Sequence, residues 1–178
     1  MDQMGRPGSR RPVVLAPLAA AVAAAAIMAG PAAAFGATHI RGMTSRANLA
    51  RQVVAYVTAA GKRTGTVTPI RTATNIALPP VKVGTGPEAI AVTPDGKTVY
   101  VGNTASDTVT PIRAATNTAL RPIKTGLTPQ DIAITPDGKT AYVANANGGT
   151  VTPIRTATNT ALPSIKTGRN AVTIVITP

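Results

Sequence analysis

From Val53 onward, the chain alternates between apolar bursts about six residues long and clusters of turn-forming residues. The bursts are rich in Val, Ile, Thr and Tyr, which favour a pleated, half-buried surface. Gly, Pro, Asn and Asp separate them, and that punctuation reads as strand, turn, strand. Four kinds of strand are expected. Ala89 to Thr93 and Ile132 to Thr135 form the first kind, and Thr98 to Asn103 and Thr140 to Asn145 the second. Thr108 to Arg113 and Thr150 to Arg155 form the third, and Leu120 to Thr125 and Leu162 to Thr167 the fourth. Four such strands with tight turns leave no room for a substantial helix.

The pattern repeats. Thr-Val-Thr-Pro-Ile-Arg begins at Thr66, Thr108 and Thr150, and Ala-Thr-Asn at Ala73, Ala115 and Ala157, each stepping by 42 residues. Gly84, Gly126 and Gly168 keep the same interval. Tyr-Val recurs at Tyr56, Tyr100 and Tyr142, the longer first step reflecting two extra residues between Gly61 and Gly65. A period of about 40–45 residues is that of a four-stranded propeller blade. The turn chemistry agrees: in Thr-Pro-Asp-Gly the Pro sits where a type I turn wants a fixed φ, and Gly follows where a positive φ is tolerated. Asn75, Asn117 and Asn159 mark the next hairpin turn. Pro69, Pro111 and Pro153 fall inside the third strand, which should therefore lie near an edge or carry a bulge there.

These residues resemble the YVTN family of β-propeller repeats. Tyr100-Val101-Gly102-Asn103 and Tyr142-Val143-Ala144-Asn145 carry its signature loosely, and Ile132 to Lys139 carries its companion turn closely. The resemblance covers residues 53–178, about 70% of the chain. It implies an all-β fold of propeller blades, each of four antiparallel strands, behind a signal peptide helix. Such proteins include surface-layer proteins and relatives of lactonases. There are two departures: Arg71, Arg113 and Arg155 stand where the family usually has an acidic residue, and the first copy reads Tyr56-Val57-Thr58-Ala59, without the Asn.

Ahead of the repeats lie Arg6, Arg10 and Arg11, then an uncharged run of 17 residues from Val13 to Ala29, then Gly30-Pro31-Ala32-Ala33-Ala34. This is the pattern of a secretory signal peptide. Cleavage is expected after Ala34; the alternative is a retained membrane anchor, for which the run is slightly short. Ser9-Arg10-Arg11 resembles a twin-arginine export motif without its usual Phe and Lys. The expected organisation is a signal peptide at 1–34, a linker at 35–52 and repeats at 53–178, divided as 53–87, 88–129, 130–171 and a last strand at 172–178. Ser45 to Arg51 in the linker has the composition of a short Ser-capped helix. Counting gives twelve strands, or three blades if Val172 to Thr177 completes the first unit. Propellers usually close with about four to eight blades. Open blade faces would invite self-association. Two readings follow, a fragment or two chains joined into a six-bladed ring, and the interruption of the Thr-Pro-Asp-Gly signal favours the first.

Composition narrows the chemistry. With one Phe, no Trp and 44% apolar residues, the core must be built from Val, Ile, Leu and Ala. The absence of Cys excludes disulfides and thiolate metal sites, and the one His, His39, precedes the repeats. No cofactor, metal site or nucleophile–base pair is therefore expected. Glu88 and Asp131 stand just before first-kind strands, at the expected rim of a channel, where solvated rim residues are favoured over a cation site. The formal charge is +12, of which the first 34 residues contribute +2, leaving +10. Arg71, Arg113, Arg155 and Lys82, Lys124, Lys166 repeat once per blade and are expected as rows on the outer strands. They are candidates for binding an anionic cell-wall polymer or a lipid surface; the competing reading is that charge there blocks edge pairing. Nucleic acid is not expected, because stacking aromatics are scarce. The function expected is a non-catalytic binding, cell-surface or scaffolding role outside the cell. The alternative is a fragment of a lactonase-like enzyme, which would need a cluster of Glu, Asn and His around a channel metal.

Overall fold

The computed structural model describes residues 53–61 and 63–177. The expected signal peptide, its cleavage point, the linker helix and His39 lie outside them. The described residues are all-β and contain no helix, and they form three antiparallel sheets. The first holds β1 (Val54–Ala59), β2 (Thr66–Arg71), β3 (Ile76–Ala77) and β4 (Val81–Lys82). The second holds β5 (Pro87–Val92), β6 (Thr98–Asn103), β7 (Thr108–Arg113), β8 (Thr118–Ala119) and β9 (Ile123–Lys124). The third holds β10 (Pro129–Ile134), β11 (Thr140–Asn145), β12 (Thr150–Arg155), β13 (Thr160–Ala161) and β14 (Ile165–Lys166). Within each sheet the strands follow one another up and down, as in propeller blades.

The fourth strand is not continuous. It is two short pieces on either side of a gap, and both pieces pair with the third strand. The proline inside the third strand explains the gap. The carbonyls of Pro69, Pro111 and Pro153 accept from the amides of Leu78, Leu120 and Leu162, each at 2.8 Å. A residue's amide and carbonyl point to the same side of a strand, so the missing proline N–H also faces the fourth strand. The ladder breaks where that donor is lost. On its other side the third strand pairs regularly with the second, without a bulge.

The bulges lie instead on the inner strands. The register of β5 on β6 slips between Pro87 and Ala89, and that of β10 on β11 between Pro129 and Asp131. Glu88 and Gln130 are therefore the extra residues. This corrects the expectation that Glu88 and Asp131 are matching positions ahead of the strands. Both lie within strands, and Asp131 matches Ala89 rather than Glu88.

Two apolar layers hold the sheets together. Val67, Val81 and Val83 of the first unit pack with Val99, Val101 and Ile112 of the second. Tyr100, Val109 and Ile123 of the second pack with Ile132, Ala141, Val143 and Ile154 of the third. Only one large aromatic ring lies in these layers, and the β-branched side chains fill closely spaced sheets well.

Residues 172–177 form no strand and do not complete the first sheet. The segment lies against β10 instead, where the amide of Ile174 donates to Asp131 Oδ2 at 2.9 Å. Its repeat register explains the placement: Ile174 follows Ile132 by 42 residues, so it takes the position of the next inner strand. An inner strand pairs only with its own second strand, and no such strand stands beside it among the described residues.

Candidate functional site

Each sheet has two ends, and the repeat delivers different chemistry to each. At one end the first-to-second turn is Thr-Pro-Asp-Gly-Lys. Asp95 Oδ1 accepts from the Thr93 hydroxyl at 2.7 Å and the Lys97 amide at 3.0 Å, and Asp137 does the same with Thr135 and Lys139 at 2.6 and 3.0 Å. These bonds favour the carboxylate, so the Thr93 hydroxyl, followed by the Lys97 amide, holds Asp95 down at about 2. Asp137 is lowered from the ordinary carboxylate value by the same kind of partners. Gly96 and Gly138 take positive φ, as the turn requires.

Arg71, Arg113 and Arg155 lie at this same end. Each is the last residue of its third strand and each is exposed. They sit opposite Val54, Thr98 and Thr140 on the second strands. Among the described residues the ion pairs are Lys97–Asp95 at 3.1 Å and Lys139–Asp137 at 3.3 Å, so the three arginines take part in none. Arg155 and Lys139 line a shallow cleft together with Thr140, Thr156 and Leu162.

Lys82, Lys124 and Lys166 are also exposed, but they sit opposite Thr66, Thr108 and Thr150, at the start of the third strand. Five residues of strand separate the lysine register from the arginine register, about 17 Å at the usual rise. The six basic residues thus form two rows at opposite ends of the sheets rather than one belt. They also differ in their strand. The lysines are on outermost strands, where charge discourages edge pairing. The arginines are on strands paired on both sides, so edge protection does not account for them.

The lysine end also carries the buried polar groups. Asn103 and Asn145 are fully buried. Asn103 Nδ2 donates to the hydroxyls of Thr108 and Thr110 at 3.1 and 3.0 Å, and Asn145 Nδ2 to those of Thr150 and Thr152 at 3.1 and 2.9 Å. The Asn of Tyr-Val-x-Asn therefore clamps the second strand to the third. Each Oδ1 lacks a protein partner. In the first unit the position is Ala59, and the clamp is missing.

At the inner strands, Gln130 Nε2 donates to Glu88 Oε2 at 2.9 Å. The two bulged residues thus meet across neighbouring sheets. Asp131 accepts backbone amides on both oxygens, from Ile132 at 2.8 Å and Ile174 at 2.9 Å. Among the described residues no three His, Cys, Asp or Glu side chains gather. With both Asp131 oxygens committed to amides, Glu88 and Asp131 do not make a ligand set for the channel metal of a lactonase-like enzyme.

One contact could not be read from the chain directly. The Tyr100 hydroxyl donates to Asn159 Oδ1 at 2.6 Å, and the Tyr56 hydroxyl to Asn117 Oδ1 at 3.2 Å. A tyrosine on the second strand of one sheet thus reaches the hairpin asparagine of the next. These asparagines hold φ near 50°, as does Asn75. Burial pushes Tyr100 up to about 12 and raises Tyr56 as well. The common period of the two series was the available signal, but period alone does not say which neighbours meet.

Comparison with known proteins agrees with this architecture. Hydrazine synthase of Kuenenia stuttgartiensis superposes with a TM-score of 0.57 at 29% identity, over 75% of this chain and 41% of that one. A functionally unknown protein from Desulfotomaculum acetoxidans DSM 771 superposes with a TM-score of 0.57 at 20% identity, over 66% of this chain and 40% of that one. The chain thus spans about two fifths of the length of either structure. No curated protein matches it. The model of the family described as lactonase, 7-bladed beta-propeller, matches residues 47–172. That is more than half of the chain, and with three blade-like sheets in register it places the protein in the lactonase-type seven-bladed β-propeller family.

Proposed function

We propose that this chain is a non-catalytic binding module of an exported propeller, and that its partner is an anionic cell-wall polymer or lipid surface. The observation that carries the reading is the arginine row: Arg71, Arg113 and Arg155 occupy one register in three successive sheets, exposed and outside any ion pair among the described residues. The fork of a guanidinium suits phosphate and carboxylate groups. A row repeated at blade spacing suits a partner with repeated charges, because several weak contacts add through effective concentration. The net charge of +12 adds long-range attraction. The basic head and apolar run before Ala34 support export, and the Tyr-Val-x-Asn motifs support a YVTN-type subset of the propeller family.

The test is binding to vesicles containing anionic lipid and, separately, to an anionic polysaccharide, at several salt concentrations. Binding should weaken as salt rises, because screening shortens the reach of exposed charges. Replacing all three arginines with Gln should weaken it at least about tenfold, and replacing the three lysines should do much less. Salt-insensitive binding, or a triple arginine variant that binds like the parent, refutes the reading. A second reading, lactone hydrolysis, is favoured by the family match itself. Turnover of a lactone that persists in the arginine variant and is lost in Glu88→Gln would establish it.

A further inference from the structure

The chain shows the same sheet-to-sheet contact twice. On the forward side of each contact stand the tyrosine of the second strand, a valine of the third and an apolar residue of the fourth: Tyr56, Val67 and Val81 in the first sheet, Tyr100, Val109 and Ile123 in the second. On the receiving side stand two residues of the second strand and one of the third: Val99, Val101 and Ile112, then Ala141, Val143 and Ile154. The tyrosine hydroxyl donates across each contact to the asparagine of the receiving hairpin.

The register extends both patterns by one step. The third sheet carries the forward set as Tyr142, Val151 and Ile165, and the first carries the receiving set as Ala55, Val57, Ile70 and Asn75. Among the described residues neither set has a partner sheet. Ile165 is 50% exposed and Val57 49%, whereas Ile123 is 7% exposed and Val101 and Val143 are fully buried. Asn75 holds the same left-handed φ as Asn117 and Asn159, with no tyrosine bonded to it. One molecule thus presents both halves of a contact whose geometry it displays internally.

We propose that a second copy of this chain occupies the forward face. The Ala55–Val57–Ile70 face of the second copy covers Tyr142, Val151 and Ile165, and the Tyr142 hydroxyl donates to Asn75 Oδ1 of that copy. The contact is heterologous. It closes into a ring when two copies satisfy it reciprocally and otherwise extends in line. Head-to-tail pairing continues the stacking already present and creates no new kind of surface.

Sedimentation of the purified chain over a range of concentrations reads the outcome. The parent should show mass above that of one chain, rising with concentration. Ile165→Lys and Val57→Lys replace half-exposed residues of one sheet, so the fold should survive in each, as far-UV circular dichroism can verify. Each variant should weaken self-association at least about tenfold. Mixing the two should restore pairing through the face each retains, giving dimers but nothing larger. Leu127→Lys alters an equally exposed residue outside both faces and should leave the mass unchanged. A parent that stays monomeric overturns the proposal. So does association that survives both face variants, or that Leu127→Lys abolishes equally.

Discussion

Three tyrosines occupy one repeat position in three environments, and Tyr→Phe at each isolates the tertiary contribution. The Tyr100 ring is fully buried, and its hydroxyl donates to Asn159 at 2.6 Å. Tyr100→Phe keeps the ring and removes one hydrogen bond, a loss of about 1–1.5 kcal/mol. The Tyr56 bond is longer, at 3.2 Å, and only partly buried, so Tyr56→Phe should cost about 0.5 kcal/mol. Tyr142 has no receiving asparagine among the described residues of its own chain, and its replacement should be neutral in dilute solution. The assay is urea unfolding followed by far-UV circular dichroism. With a slope of about 1.5 kcal/mol per molar, the Tyr100 variant should lower the midpoint by about 0.7–1 M. Asn159→Gly removes the acceptor while tolerating the left-handed φ, so a double-mutant cycle with Tyr100→Phe should return a coupling of about 0.5–1.5 kcal/mol. If Tyr100→Phe and Tyr142→Phe shift the midpoint equally, or if the cycle is additive, the hydroxyl does not lock the sheets.

Three further outcomes are expected. A Cβ at Gly126 would lie 2.7–2.8 Å from Thr150 Oγ1 and the Asn145 amide, and that clamp cannot retreat without losing its bonds; Gly126→Ala should therefore cost about 1–3 kcal/mol by the same unfolding assay. Thr128 holds a φ of 59° where the preceding repeat has Gly86. Thr128→Gly relieves the strain of a β-branched residue there and loses an exposed hydrogen bond from Asn147, so a net gain of about 0.5–1 kcal/mol should appear as a higher melting temperature. Tyr100, raised by burial to about 12, favours the fold fully below the ordinary value near 10, and that contribution is lost as pH climbs through 12. The alkaline fall in the urea midpoint should be smaller in Tyr100→Phe, and an unchanged fall would show that another group controls it. At the acid end Asp95, lowered to about 2, contributes above the unfolded value of 3.8 and loses that contribution as pH drops toward 2.

The sequence by itself determined the period, the strand chemistry and the turns. Those are local properties: a Thr-Pro-Asp-Gly segment folds its own hairpin, and a Val-rich burst is suited to a sheet wherever it stands. Three things were settled only by tertiary structure. The break in the fourth strand depends on which side the N–H-less proline presents to its neighbour, and that follows from the pairing register rather than from composition. The split of the basic residues into an arginine end and a lysine end depends on the direction in which each strand runs. The positions of Glu88 and Asp131 depend on a bulge that the repeat spacing does not reveal, because a bulge common to two repeats leaves their interval unchanged. The tyrosines show the same limit most clearly. They are identical in the repeat and differ in the fold, because each takes its hydrogen-bonding partner from the next sheet and not from its own.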